Sequence, residues 1–467
     1  MTSHGKTPLT VTSPFDGSLL ETVLMQDAND AELMLDKAAK LFRNRDGWLE
    51  HHARIKVLKK LAALVEGEAE DFAMLIAKEG GKPLTDARIE VARAIEGIHL
   101  AVKELAHVMR GEEIPMGHTV ASVGRKAYTT YEPIGVVVAV SAFNHPLNLI
   151  VHQVVPAIAV GCPVIVKPAT ATPLSCARFV ALVHEAGLPE DWCQLCVCDN
   201  TVSEILVTSK KINFFTFIGS AKVGWWLRSK LAPGVRCALE HGGSAPVIID
   251  QTADVTKMIP SLLKGGFYHA GQVCVSVQRV FIHENIVEDI AKRLADGAAT
   301  LNVGDPTLPE TEVGPLILPR EVDRVHEWVS EAVACGATLL TGGKKLSDTT
   351  YAPTILLNPP QDSKVSTMEI FGPVICVYSY SNHQETIELA NSLDVAFQAA
   401  VYTQDLAFAN DCIKRLDATA VMVNDHTAFR VDWMPFAGRR ASGYGVGGIG
   451  YTMHDMVQIK MAVINEN

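Results

Sequence analysis

The apolar positions in the first quarter of the chain recur at helical spacing. Leu58, Leu61 and Leu64 form one such series and Phe72, Leu75 and Ile76 another, which predicts that residues 31–109 are mostly helical. Residues 119–132 then alternate polar with apolar, and that pattern predicts a pair of exposed strands forming a β arm. From Ile134 onward short β-rich runs alternate with helical stretches: strands at 135–140, 163–166 and 192–198, helices at 148–160 and 175–185. This order predicts βαβ units and a parallel sheet. A second series follows at 245–249, 280–282, 374–378 and 399–402. Two α/β layers in succession imply a cleft between them, where ligands usually bind. The tail, 451–464, reads as a strand suited to pairing with another subunit.

Composition narrows the function class. A chain of 467 residues exceeds one typical domain, and 48% hydrophobic with 20% charged residues describes an ordinary α/β protein. The net charge of −11 repels phosphate backbones and anionic lipid, so neither nucleic acid nor membrane is expected as a partner. The N-terminus lacks the blocks of a signal peptide, and no stretch approaches the ~20 apolar residues of a membrane span. A cytoplasmic protein is expected. Ten cysteines at irregular spacing do not make a disulfide framework.

Several short motifs carry candidate chemistry. Phe267-Tyr-His-Ala-Gly-Gln-Val-Cys274 puts a cysteine after a Gly-Gln turn, where small neighbours leave backbone N–H groups free to serve as oxyanion donors. Burial tendency alone makes Cys274 a structural cysteine; its company lifts it. Glu240 lies in an apolar setting ahead of Gly242 and Gly243, and partial burial raises a carboxyl's proton affinity toward that of a neutral-pH base. Asn144 ends a strand-like run, where parallel-sheet enzymes bind ligands. Gly219 and Ser220 open a glycine-spaced turn at a helix start that suits a phosphate. Lys167 follows a strand, and Glu369 with Phe371 adds a carboxylate and a ring. Taken singly, each is ordinary turn or strand-end chemistry. Two patterns are set aside: the glycines at 445–450 lack a following βαβ unit, and Cys193, Cys196 and Cys198 lack a second ligand pair, so no metal is expected.

Taken in order, Asn144, Lys167, the 219–224 turn, Glu240, Cys274 and Glu369-Ile-Phe371-Gly-Pro373 resemble the NAD(P)-dependent aldehyde dehydrogenase superfamily over nearly the whole chain. The resemblance implies an α/β fold with a Rossmann-like cofactor domain (1–113 and 134–240), an α/β catalytic domain (241–440) and a small β oligomerisation arm (114–133 and 451–467). Homodimers or homotetramers follow from that arm. It implies roles as well. Cys274 matches the nucleophile that attacks the aldehyde, and Asn144 the side chain that, with the Cys274 N–H, holds the oxyanion, an effect worth about 3–4 kcal/mol in comparable sites. After hydride transfer to nicotinamide, Glu240 matches the base that activates water to hydrolyse the thioester. Lys167 resembles the ribose-binding lysine, Ser220 beside Gly219 the hydroxyl at the pyrophosphate, Glu369 the carboxylate on the nicotinamide ribose and Phe371 the ring packed beside it. Thr170 stands where NAD-preferring members often carry a glutamate, so the cofactor is NAD or NADP, with NAD slightly favoured.

The stretches 144–153 and 424–436 look like the branch that contains phosphonoacetaldehyde dehydrogenases. Arg430 and Arg93 fall where that resemblance lines the substrate tunnel, with His145 beside the catalytic asparagine. Their guanidinium forks suit the anionic end of a small aldehyde: phosphonate, sulfonate or carboxylate. Val273 departs from the branch, which can carry a further arginine there. Lactaldehyde-type and semialdehyde substrates therefore stay open, as do a CoA-acylating dehydrogenase and, from another class, a cysteine hydrolase pairing Cys274 with His269.

Overall fold

The computed structural model describes residues 7–466. After a hairpin of Pro8–Thr12 with Leu19–Leu24, the predicted helical region folds into Ala28–Arg43, His51–Gly67, Ala69–Gly80 and Leu84–Val108. Leu58, Leu61, Phe72 and Ile76 point inward from this region and share one core. The helix Asn148–Val160 is apolar nearly all round and wholly buried, with its aliphatic residues from Ile150 to Val160 in the same core. None of the helices among the described residues is long and apolar enough to cross a membrane.

Six strands form the first sheet, in the order Gly443–Tyr444, Arg236–Glu240, Phe214–Ile218, Val137–Val140, Val164–Lys167, Cys193–Leu195. All pair in parallel except Gly443–Tyr444. The chain starts at the central strand Val137–Val140, builds outward to Cys193–Leu195, then returns to lay Phe214–Ile218 on the other side. Strand order reverses there, and a crevice opens at the carboxyl ends of the two strands. The second sheet runs Thr338–Thr341, Thr354–Leu357, Val374–Tyr380, Val277–His283, Ala245–Ile249, Gln398–Tyr402, Ala420–Val423, parallel except at its first strand. It has a core of its own, built from both faces.

The arm differs from the expected strand pair. Residues 120–122 form a single helical turn, and one strand, Arg125–Pro133, pairs with Glu113–Ile114 on one side and Val457–Asn465 on the other. The long partner comes from the tail, so alternation within 119–132 counted two strands where the second lies more than 300 residues away. The tail does not begin as arm either. Helix Ile449–Asp455 buries Ile449 and Met453 in the first core, Met456 follows them there, and the strand begins only at Val457. The expected strand at 192–198 is shorter, Cys193–Leu195, with Cys196 and Cys198 buried beyond its end.

Two buried glutamates tie the helices to the first sheet. Glu79 accepts from Leu174 N and Ser175 N at 2.8 Å each, closing the start of helix Leu174–Glu185. Glu90 accepts from Leu147 N and Asn148 N at 3.0 Å and, through its other oxygen, from the Lys82 ammonium. Both side chains of that ion pair are fully buried. Burial depresses the Lys82 pKa, and Glu90 first, then Asp86, counter it; of the two, Glu90 accepts the ammonium's hydrogen bond. Glu90→Ala is expected to destabilise the protein by about 3–5 kcal/mol, the cost of an orphaned buried charge. The thermal unfolding midpoint reads this directly, and an unshifted midpoint contradicts it.

Candidate active site

A cavity of 1140 Å³ is lined by loops from both layers. All twelve residues singled out above, from Arg93 to Arg430, contribute to its walls. Asn144, from the loop after the central strand, is 5% exposed and donates through Nδ2 to Gln272 O at 2.9 Å. That bond ties the amide to the loop bearing Cys274. Before the cysteine, His269, Ala270 and Gly271 have φ of 48°, 55° and 70°, three consecutive left-handed residues. A Cβ on Gly271 would sit 2.1 Å from Gly372 O, so only glycine fits. The bend is held by Gln272, which donates to Pro315 O at 3.2 Å and accepts from Ile317 N at 2.9 Å. Thr427 Oγ1 donates to Val275 O at 2.7 Å and joins the substrate-side loop to it.

Cys274, Glu240 and Glu369 face the cavity and are half-buried, but protein encloses them. Burial pushes the Cys274 thiol up to about 12; Glu369 and Glu240 add to the rise, and Arg430 opposes it. Burial likewise raises Glu240, against the pull of Arg430, which brings the carboxyl toward a base strength useful at neutral pH. Space for it comes from Gly447, where a Cβ would lie 2.1 Å from Glu240 Oε1. The glycine-rich crossover before the tail is thus the wall behind this carboxylate. Glu369 is raised to about 8, by burial first, with Arg324 and the Gly243 N–H opposing.

The other end of the cavity fits a dinucleotide. The side chain of Lys167, a residue 6% exposed, has no ion pair or hydrogen bond among the described residues, and Glu369 Oε1 is buried without a partner. Such orphaned groups call for an outside partner. Gly242 lets the Glu369 carboxylate lie against the backbone, since a Cβ there would be 1.8 Å from Oε1. Gly219 and Ser220 precede helix Ala221–Arg228, and Gly224 allows that helix to approach His241, whose ring a Cβ would meet at 2.0 Å. Thr170 lines this end with no carboxylate in its place. Phe371, with φ of 48°, sets its ring edge-on to Phe143 at 5.9 Å.

At the substrate end the two arginines are not equivalent. Arg93 is bound through Nε and NH2 to both oxygens of Asp432, at 3.1 and 2.7 Å. Its charge is neutralised, which corrects the expectation of two free guanidiniums. Arg430 forms no ion pair among the described residues; its guanidinium lies 3.6 Å over the Phe436 ring. Val273 packs in a small apolar cluster with Val275, Phe397 and Phe436, so its position is filled by core rather than by a cation. His145 bonds through Nε2 to the Tyr268 hydroxyl at 3.2 Å, and burial beside Lys82 and Arg93 keeps it neutral. His269 is fully buried, faces His145 and hydrogen-bonds to nothing through its ring, Cys274 included. A Cys274–His269 dyad has no contact to stand on.

The aldehyde dehydrogenase family description matches residues 1–462. The chain belongs to the aldehyde dehydrogenase family. It is 38% identical to a 3-sulfolactaldehyde dehydrogenase of Priestia aryabhattai, over 89% of this chain and 86% of that one. It is 33% identical to a lactaldehyde dehydrogenase of Methanocaldococcus jannaschii, over 98% and 97%. Among solved structures, the glyceraldehyde-3-phosphate dehydrogenase of Methanocaldococcus jannaschii complexed with NADP superposes with a TM-score of 0.93 at 32% identity, covering 99% of this chain and 100% of that one. The protein is thus an NAD(P)-dependent aldehyde dehydrogenase that oxidises small aldehydes.

Several side chains that shape the dehydrogenase's site carry no local signal. Asp432 and His152 lie inside stretches noted for other reasons, and their pairing spans 280 residues. Arg324, which lines the cavity and acts on Glu369, sits on an ordinary surface-patterned helix, Pro319–Ala334. The raised thiol has a measurable consequence. Below a pKa of about 12 the thiolate fraction grows about tenfold per pH unit, so Cys274 alkylation in the cofactor-free enzyme should rise steadily from pH 7 to 10. Peptide mass spectrometry follows that one cysteine. A plateau near neutral pH contradicts the buried-thiol account.

Proposed function

We propose that this dehydrogenase oxidises a short aldehyde with a monoanionic end, a sulfonated one foremost, to the carboxylic acid through a thioester on Cys274. The observation that carries the reading is Arg430, a cavity-facing guanidinium without an ion-pair partner that acts electrostatically on both Cys274 and Glu240. With Arg93 neutralised by Asp432, Arg430 is, among the described residues, the cation without an ion-pair partner at the substrate end of the cavity. One cation matches one negative charge. A sulfonate or carboxylate carries one at neutral pH, a phosphonate up to two, and Val273 withholds the further cation that a dianion would call for. This favours sulfonate over the phosphonoacetaldehyde suggested by the branch resemblance, and the 38% identity to the sulfolactaldehyde dehydrogenase points the same way.

In this reading the Cys274 thiol gives its proton to solvent, the thiolate sulfur bonds to the carbonyl carbon as the C=O π pair moves onto oxygen, and that negative oxygen accepts from the Cys274 N–H and Asn144 Nδ2. Bound NAD or NADP supplies the hydride acceptor, held by Lys167, Ser220 and Glu369. Glu240 then takes a proton from the water that attacks the thioester, which releases the acid and returns the sulfur. The Glu240 carboxylate favours water over CoA as the acyl acceptor. Residues 1–113 and 134–240 serve cofactor binding and 241–440 catalysis, while the arm joins two or four copies. Support for the last is the run of Ile459, Met461 and Val463, all exposed on the tail strand.

Two experiments test the assignment. Glu240→Gln should release a burst of reduced cofactor and then stall with acyl groups on Cys274; full steady-state turnover removes Glu240 from the base role. In a panel of sulfonated, phosphonated, carboxylated and neutral short aldehydes, the sulfonated ones should have the highest kcat/KM. Arg430→Ala should cut that value by about 100-fold, the ~3 kcal/mol of a desolvated charge pair. A preference for lactaldehyde that Arg430→Ala leaves intact overturns the anionic-substrate reading.

A further inference from the structure

His152 is 4% exposed and does not line the cavity, yet it sits between Arg430, which lines the cavity's substrate end, and Asp432, which lies behind it. Its Nε2 lies 2.7 Å from Asp432 Oδ1 and its Nδ1 lies 3.4 Å from Arg430 NH2. The two contacts fix each other's sense. Asp432 accepts at one oxygen from Arg93, Asn148 and His152, and at the other from Arg93 again. Burial opposes its ionisation, but the His152 N–H and the Arg93 guanidinium outweigh that and keep it a carboxylate. A carboxylate can only accept, so the His152 proton resides on Nε2. Nδ1 is left with a bare lone pair facing Arg430. The imidazole stays neutral because burial and the Arg430 charge depress its pKa to about 4, against the pull of Asp432.

We infer that His152 is a positioning residue for substrate charge: a neutral imidazole, its tautomer set by Asp432, that holds the Arg430 guanidinium ready for the anionic end of the aldehyde. The inference rests on the anionic-aldehyde reading. Three features of the site give this link its use. Among the described residues Arg430 has no carboxylate to hold it, and the Phe436 face beneath it lets a guanidinium turn. Its Nε is buried without a partner among the described residues, so protein does not fill the guanidinium's hydrogen-bonding capacity. A carboxylate in place of His152 would orient Arg430 equally well but neutralise it, as Asp432 does Arg93; a neutral acceptor orients the cation and leaves its charge to the substrate.

The test compares His152→Gln, His152→Asn and Arg430→Ala with the wild-type enzyme, using a sulfonated aldehyde and neutral lactaldehyde of similar length. Gln keeps a donor near the Nε2 position, toward Asp432; Asn keeps an acceptor near the Nδ1 position, toward Arg430. Circular dichroism and thermal unfolding establish that each variant is folded. With His152→Gln, the sulfonated-to-neutral ratio of kcat/KM should fall about tenfold, the order of one charge-assisted hydrogen bond, and the loss should lie in KM more than in kcat. His152→Asn should recover most of the ratio. If both His152 variants slow the two aldehydes in parallel, or if Arg430→Ala destroys the ratio while His152→Gln keeps it, the positioning role is wrong and the anionic-aldehyde reading stands. If Arg430→Ala keeps the ratio, the anionic-aldehyde reading itself falls, and the inference with it.

Discussion

Asp432, 2% exposed on a loop that closes the substrate end, accepts hydrogen bonds from Arg93, Asn148 and His152, and through them sets the charge of the cavity. Each partner comes from a helix of the first layer: Arg93 from Leu84–Val108, Asn148 and His152 from Asn148–Val160. The carboxylate therefore does two things. It anchors the loop that bears Arg430 onto the first layer, and it neutralises one of two neighbouring guanidiniums. Buried ion pairs are weak contributors to stability because desolvation offsets their attraction, so specificity is the better reason for this one.

Backbone close approach is the second constraint. Three glycines give the reacting groups room: Gly271 at the bend before Cys274, Gly242 under the Glu369 carboxylate and Gly447 behind Glu240. A methyl group at any of them would overlap the atoms it faces. Rigidity of this kind is how a site holds an unfavourably raised thiol beside two carboxyl groups without collapsing around them. The same enclosure that pushes Cys274 up to about 12 strengthens what Arg430 and the oxyanion donors do to developing charge.

Local pattern made much of this legible. Period-two and helical spacing located Val137–Val140 and Val164–Lys167 in the first sheet, Ala245–Ile249, Val277–His283 and Val374–Tyr380 in the second, and the buried helix Asn148–Val160, but passed over Phe214–Ile218, the central strand beside Val137–Val140. The motif residues also lie in one cavity, because strand ends and the turns after them carry recognisable glycine and polar chemistry. What stayed hidden is long-range. Arg125–Pro133 finds its partner in Val457–Asn465, and Arg93 finds Asp432 at a separation of 339 residues, pairings that no spacing rule contains. Gly447 looked like filler in a crossover because the atom it makes room for belongs to another strand. Thr338–Thr341 and Ala420–Val423 lie at the sheet edges and are partly exposed, each only four residues long, too short for a spacing rule to separate from a loop.

The net charge of −11 keeps polyanions away from the surface while one guanidinium faces the reacting groups uncompensated, so the chain's overall sign says little about its substrate. The central claim is that this cation receives a single negative charge. Competitive inhibition by a three-carbon alkyl sulfonate that lacks the aldehyde, set against the uncharged alcohol of the same length, measures it without chemistry. The sulfonate should compete with the aldehyde substrate while the alcohol does not. Equal inhibition by the two would contradict the account.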